Sequence, residues 1–374
     1  ATVIAWIWAR TVKCPNPACG CEMPLASSFV LSKKKGKEAY IEAVCYGSEI
    51  KYHVRQGKGG ENCPKVGQGK FKCICCNEGI PKDYPKEEGK AGRMGRQLLA
   101  IVAEGKNGRL YLSPDSEQIA AADCPMPDEY PTGRLAPHFT GGSCVPYGLD
   151  EFHKLFTNRQ LTALTTFSAL VGEAQKKAEA DAVAAGIFND HIPLAEGGTG
   201  ARAYGEAVGV YLAFVVDKLT DYHSSICSWN PPRDGIRNTF GRQAIPMVWD
   251  YAEGNPFSNS SGCLDNMLEW ITKSLALFPS IPYGYAKQFD AQSDNGMHDI
   301  AISTDPPYYD NIGYADLSDY FYIWMRQSLK ETYPKLFRTL LVPKAEELVA
   351  TPYRFEGSME KARDFFEDGM FNTC

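Results

Sequence analysis

The residues best placed to do chemistry stand in one run, Asp305-Pro306-Pro307-Tyr308, directly after the apolar stretch Ile300-Ala301-Ile302. Consecutive prolines fix φ and lack N–H donors, so such a loop is stiff and its carbonyls stay free to accept hydrogen bonds. An acid, fixed carbonyls and an aromatic face make a holder for a planar ring bearing an exocyclic amino group. In it the Asp305 carboxylate and the Pro306 carbonyl accept the two N–H bonds, and Tyr308 stacks on the ring. The plainer alternative is a proline-stiffened turn in which Tyr308 merely packs.

Such a run needs an element to position it. Asp299 to Thr304, after a polar turn at 292–296, reads as a buried parallel strand, and ligands of open α/β sheets gather beyond the carboxyl ends of such strands. Tyr283 to Phe289 reads as a strand before it, ending at Asp290. Ala315 to Leu329 reads as an amphipathic helix offering Leu317, Tyr320, Phe321, Trp324 and Leu329 to a core.

Asp-Pro-Pro-Tyr after a hydrophobic strand resembles the catalytic motif of amino-group DNA methyltransferases, which methylate adenine N6 or cytosine N4 with S-adenosylmethionine. The longer run from Thr304 to Tyr320, Thr-Asp-Pro-Pro-Tyr-Tyr-Asp-Asn-Ile-Gly-Tyr-Ala-Asp-Leu-Ser-Asp-Tyr, is similar to the adenine-specific DNA methylases that contain a zinc ribbon. The resemblance implies an α/β fold, part of a Rossmann-like S-adenosylmethionine-dependent methyltransferase sheet with a zinc-ribbon β insert and a helical insert. It implies catalytic roles for Asp305, Pro306, Pro307 and Tyr308, and a hydrogen bond that the Asp290 carboxylate accepts from the adenine amino group of the cofactor. It implies DNA as partner and leaves open a restriction or phage-defence partner. The family's Phe-x-Gly-x-Gly cofactor loop has no counterpart in the sequence, so the chain is expected to be a fragment that binds cofactor poorly and is inactive alone. Phe139 to Ser143 has the wrong glycine spacing and reads as a loop. Adenine N6 is the expected target. The alternatives are cytosine N4, or a non-catalytic zinc-ribbon module that binds nucleic acid beside a degenerate methyltransferase half.

A second constellation is built from cysteine. Seven of the thirteen cysteines fall between Cys14 and Cys21 and between Cys63 and Cys76. A disulfide framework does not suit a chain of 374 residues with no secretion signal, and metal binding does. Cys14-Pro-Asn-Pro-Ala-Cys19-Gly20 has the form of a zinc knuckle, and Cys73-Ile-Cys-Cys76 is its natural counterpart. Cys14, Cys19, Cys73 and Cys76 would then hold a structural zinc, with no open position for catalysis. Cys21, Cys63 and Cys75 are spare, so the choice of four among seven stays open. Buried reduced thiols without metal are the alternative. The cysteines of the zinc-ribbon methylases support the metal reading.

Charge is uneven. Residues 1–100 hold 17 Lys+Arg against 9 Asp+Glu, a balance of +8, whereas the whole chain carries −6 and the remainder therefore −14. The run Lys33-Lys34-Lys35-Gly36-Lys37 suits phosphates or a solvated hairpin tip equally. The apolar opening, Ala1 to Ala9, is too short to span a membrane and lacks a cleavage site, which makes the cytoplasm the default and leaves no membrane partner.

The chain divides into 1–125, a zinc-ribbon-like β insert; 126–257, mainly helical with an aromatic and arginine-rich connector; and 258–374, the second half of the catalytic domain. In the first, Ser28 to Ser32, Glu38 to Cys45 and Glu49 to Val54 read as strands. Arg96 to Ala103 and Arg109 to Leu112 read as a hairpin about a Gly/Asn turn. In the second, helices are expected from Asn158 and over Ala201 to Tyr222. Arg159 borders the active site or makes a structural ion pair. Arg233, Arg237 and Arg242 are candidates for contact with an unpaired strand. A further helix is expected over Cys263 to Leu277. Lys344 is a candidate phosphate contact or a solvated lysine.

Overall fold

The computed structural model describes residues 1–137, 142–279, 284–294, 296–310 and 312–373. The apolar opening run becomes β1 (Val3–Lys13), with Ile4, Ala5, Ile7, Trp8, Ala9, Thr11 and Val12 all buried. A strand this buried lies inside a sheet, with hydrogen-bonded neighbours on both edges. Before them come β2 (Glu22–Pro24), β3 (Val30–Ser32), β4 (Ala39–Tyr46), β5 (Glu49–Gln56), β6 (Lys65–Gly67), β7 (Lys70–Phe71) and the short helix α1 (Tyr84–Lys90). One neighbour is β8 (Gly95–Gly105), which runs on into β9 (Gly108–Leu112) through the expected hairpin. α2 (Ser116–Ala121) follows, its first turn closed by the Asp115 carboxylate accepting from Gln118 N.

The helical layer holds α3 (Asn158–Ala184) and α4 (Ala201–Tyr222). α3 starts at a capping box in which Gln160 N donates to Thr157 Oγ1 and Thr157 N to Gln160 Oε1, at 3.2 and 2.9 Å. The two helices approach closely because α4 carries Gly205, where an added Cβ would lie 2.7 Å from the Gln175 carbonyl oxygen. A hairpin of β10 (Ser228–Asn230) and β11 (Gly235–Arg237) leads to β12 (Asp250–Gly254), the other neighbour of β1. Next come α5 (Leu264–Leu275), α6 (Tyr314–Leu329) and α7 (Met359–Thr373). No helix among the described residues is long and apolar enough to cross a membrane.

The main sheet has the order β12-β1-β8-β9, with β2 also on β1, and β3-β4-β5 form a second sheet; every strand pairing among the described residues is antiparallel. This overturns the expected Rossmann-like parallel sheet. Among the described residues, 284–310 contain no strand, and Asp299 adopts φ +55°. Ile300 and Ile302 are 46% and 75% exposed. An apolar β-branched run becomes a buried strand only when strands flank it, and no described strand lies alongside this one. Tyr283, Asn295, Asn311 and the loop residues 138–141 lie outside the described residues.

α3, α4 and α6 enclose a core of Phe156, Leu161, Leu164, Val215, Leu219, Tyr320 and Trp324. Phe156 stacks on Tyr320 with centroids 5.6 Å apart, and Tyr320 Oη donates to the Thr220 carbonyl at 2.7 Å. Arg159 joins this layer to the sheet. It grips Glu253 of β12 through two bonds of 2.8 and 2.6 Å and lies 4.9 Å over the Trp8 ring, which settles it as a structural ion pair.

The chain after α6 is tied back by acids of α6. Arg354 bridges Asp316 at 2.9 Å and Glu347 at 2.7 Å, and Tyr353 also donates to Asp316. Lys344 binds Asp319 at 2.6 Å, a structural pairing and not a solvated or phosphate-facing lysine. The Asp316 side chain is only 2% exposed, so Arg354→Ala strands a buried charge. The variant is expected to lose about 3–5 kcal/mol of stability in urea denaturation. A loss below about 1 kcal/mol would show the pair to be screened like a surface bridge.

One half-buried acid with a buried carboxylate oxygen makes stability depend on pH. Asp217 Oδ1 in α4 has no hydrogen-bond partner, and burial, then the neighbouring Asp221, raise its carboxyl to about 8. A carboxyl raised above its unfolded value holds a proton in the folded chain. Its contribution is fully present below about pH 4 and is lost as pH rises through the folded value, at about 1.4 kcal/mol per unit. Asp217→Asn is expected to raise the melting temperature at alkaline pH and to give no gain near pH 4. Calorimetry showing equal shifts at both would contradict this.

Candidate metal centre

The two cysteine knuckles face each other at the end of β1. The first closes as a turn: Cys14 N donates to Cys21 O at 2.8 Å, and Cys19 N and Gly20 N both donate to Asn16 O. Asn16 Oδ1 accepts from Ala18 N at 3.0 Å, which explains an asparagine between two prolines. The second knuckle is pinned by Cys73 N donating to Glu78 O and Asn77 N to Cys73 O, with Asn77 in the left-handed region at φ +61°. Tyr84 Oη of α1 reaches the Lys13 carbonyl at 3.0 Å and holds that helix against the site.

The sulfurs of Cys14, Cys19, Cys73 and Cys76 all lie within 4.8 Å of one another, with Cys14 to Cys76 at 3.8 Å and Cys19 to Cys73 at 3.9 Å. A tetrahedron of metal–sulfur bonds of about 2.3 Å has edges of about 3.8 Å, which two of the separations match, so the four thiols are close enough to share one zinc. The donor set fits a structural zinc, and these are the four chosen from the knuckle spacing.

The electrostatics favour a thiolate at Cys73 and oppose one at Cys14. Burial pushes the Cys14 thiol up to about 12. Burial also acts upward on Cys73, but the backbone N–H groups of Cys76 and Cys75 and the neighbouring thiols outweigh it and bring Cys73 down to about 7. Cys14 and Cys73 are buried and Cys76 stands at the exposed rim. Phe71, Ile80 and Tyr52 belong to the same core.

The three spare cysteines separate. Cys75 is joined to Cys45 of β4 by a disulfide, a pairing that knuckle spacing does not signal because Cys45 lies outside both clusters. Adjacent cysteines in a tight turn point apart, which sends Cys76 to the thiol cluster and Cys75 to β4. Cys63 donates to the Ala26 carbonyl at 3.1 Å. Cys21 is fully buried, 3.5 Å from Cys19 and 3.4 Å from Cys73, and is the one alternative ligand.

The other candidate residues stand elsewhere. Asp305, Pro306 and Tyr308 are exposed and Pro307 is half-buried. Asp305 makes no hydrogen bond or ion pair among the described residues, and the Tyr308 ring is 60% exposed. Tyr309 anchors the end of the run, accepting from Ala350 N at 2.8 Å and meeting Phe366 edge-on. Asp290 is exposed, with Oδ1 taken by Gln292 N at 3.0 Å, and no described bond links it to Asp305. Arg233, Arg237 and Arg242 are exposed, with Arg237 donating to the Gly241 carbonyl.

Comparison with known proteins returns no match to a family model, to a curated protein or to a solved structure.

Proposed function

We propose that the chain carries the base-holding segment of an S-adenosylmethionine-dependent DNA methyltransferase acting on adenine N6, beside a structural zinc centre. One observation carries the reading. Within the run that resembles the zinc-ribbon methylases, structure accounts for Tyr309, Asp316, Asp319 and Tyr320, each bonded or buried. Among the described residues nothing structural accounts for the free Asp305 carboxylate or the bare Tyr308 ring. An unpaired acid, a proline-locked carbonyl and an exposed ring in four consecutive residues suit an extruded base.

Asp305 and the Pro306 carbonyl accept the two amino N–H bonds and draw the nitrogen toward tetrahedral geometry, which releases its lone pair from the ring. Tyr308 holds the ring plane. When bound, S-adenosylmethionine supplies an electrophilic methyl group. The carboxylate steadies the positive charge that grows on the nitrogen, and the proton leaves afterwards. No covalent enzyme intermediate is needed, so no cysteine acts as nucleophile. Asp290 is assigned to the cofactor through the resemblance alone, and no step is derived through it.

The test is nucleoside mass spectrometry of DNA incubated with S-adenosylmethionine and a longer protein that joins this chain to a cofactor-loop segment. N6-methyladenine is expected. N4-methylcytosine would move the target to the other amino base that the same holder fits. Neither product would leave the second reading, a zinc-ribbon module that binds nucleic acid without catalysis, which the wholly antiparallel pairing among the described residues favours.

A further inference from the structure

Three hairpin tips that are remote in the sequence meet at one recess. The β3–β4 turn brings Lys34 and Lys37, the β8–β9 turn brings Glu104 and Arg109, and the β10–β11 turn brings Arg233 and Asp234, around a concavity of about 380 Å³. The tips are fastened together. Trp229 Nε1 donates to the Leu31 carbonyl at 2.7 Å and Lys33 N to the Pro231 carbonyl at 3.2 Å. Lys37 Nζ donates to the Asn107 carbonyl, and Gly108, at φ +120°, leaves it room: a Cβ there would lie 3.0 Å from Lys37 Nζ.

The acids do not cancel the cations. Asp234 is 5% exposed and held by Lys34 at 2.9 Å, while Arg109 is turned to the Asp234 carbonyl and to Ser260 Oγ. Lys33, Lys35, Lys106 and Arg233 are exposed on the rim and make no ion pair among the described residues. Apart from Asp234, the acids on these tips are Glu38 and Glu104.

We propose that this recess and its rim bind the phosphate backbone of a nucleic acid. Four free cations on three separate elements suit a polymer with a charge on every repeat better than a single small anion. The tips carry Lys, Gly, Asn, Pro and Arg, with no large apolar side chain to enter a lipid surface. In a chain of net charge −6, the contact must be confined to such a patch. The proposal draws on charge and shape alone and is independent of methyl transfer at Asp305.

The experiment is fluorescence anisotropy of the zinc-loaded chain with duplex DNA, single-stranded DNA and RNA of equal length, with phosphatidylserine vesicles as competitor. Four phosphate contacts predict that affinity falls about a hundredfold between about 50 and 200 mM salt. The triple variant Lys33→Glu, Lys35→Glu, Arg233→Glu is expected to lose at least tenfold in affinity and most of that salt dependence. A control triple on exposed helix lysines, Lys176→Glu, Lys177→Glu, Lys273→Glu, is expected to bind like the parent. Whichever nucleic acid binds tightest names the source of the phosphates. Parent-like binding by the rim variant, an equal loss in the control, salt-independent binding, or vesicles competing as well as DNA would each overturn the proposal. Binding that survives where the longer protein carrying a cofactor loop forms no methylated base defeats the methylase reading alone.

Discussion

Cys73→Ser is expected to empty the four-cysteine centre and lower the melting temperature of the chain by roughly ten degrees or more, the largest single stability effect anticipated here. Cys73 is fully buried, its carbonyl and N–H pin the second knuckle, and it is the ligand whose thiolate the backbone already stabilises. Structural zinc is bound by the folded chain and not by the unfolded one, so its binding free energy adds directly to folding. The β-rich half is expected to depend on it because the first knuckle joins β1 to β2 and the second, which follows β7, is brought against it. One zinc per chain is expected by elemental analysis of the parent, and less than a tenth of that in the variant. Because thiols must lose protons to ligate, chelators are expected to strip the metal faster as pH falls. Cys21→Ser should keep the metal; loss of zinc in that variant with retention in Cys76→Ser would move the fourth ligand to Cys21.

Asp305→Ala is expected to reduce methyl transfer at least about a hundredfold while leaving the melting temperature within about one degree of the parent. The two halves of that expectation have different origins. The carboxylate is exposed and bonded to nothing among the described residues, so its removal costs no packing and no hydrogen bond. In the proposed reaction it is the charged acceptor for the amino group and steadies the growing positive charge. Asp305→Asn keeps the shape and loses the charge, and should fall between the two. Activity is read by transfer of a labelled methyl group to DNA by the complete enzyme, and a fully active alanine variant would refute the role. Asp290→Ala gives a further separation: a raised KM for S-adenosylmethionine with little change in kcat marks a cofactor contact, and an unchanged KM removes Asp290 from the site.

Much of the local structure was legible from residue pattern. The helix over Ala201–Tyr222 lies where its apolar period placed it, and the strands β3, β4 and β5 fall on the β-branched runs between lysine and glycine turns. The hairpin about 105–108 was marked by Gly and Asn. Knuckle spacing picked Cys14, Cys19, Cys73 and Cys76 because two short turns with small residues can aim thiols only a few ångströms apart. The extended run from Thr304 to Tyr320 pointed to methyl transfer but misled about architecture. Its acids at 316 and 319 are used to fasten the chain after α6, a role visible only once Arg354 and Lys344 are seen to return to them.

The sequence by itself determined the four helices α3, α4, α5 and α6, though not α1, α2 or α7, as well as which turns carry thiols and which four residues combine an acid, stiff carbonyls and a ring. All of these depend on neighbours a few positions apart, within reach of φ restriction, periodicity and turn chemistry. Only the tertiary structure decided that β1 is the centre of an antiparallel sheet, that β12 from an arginine-rich connector is its partner, that Cys75 belongs to Cys45, and that the run before Asp305 lies exposed instead of in a parallel sheet. Strand order, disulfide partner and the meeting of three basic tips are contacts between residues tens to hundreds of positions apart. Their choice is set by which surfaces the whole chain can bury at once, a quantity that no local pattern contains.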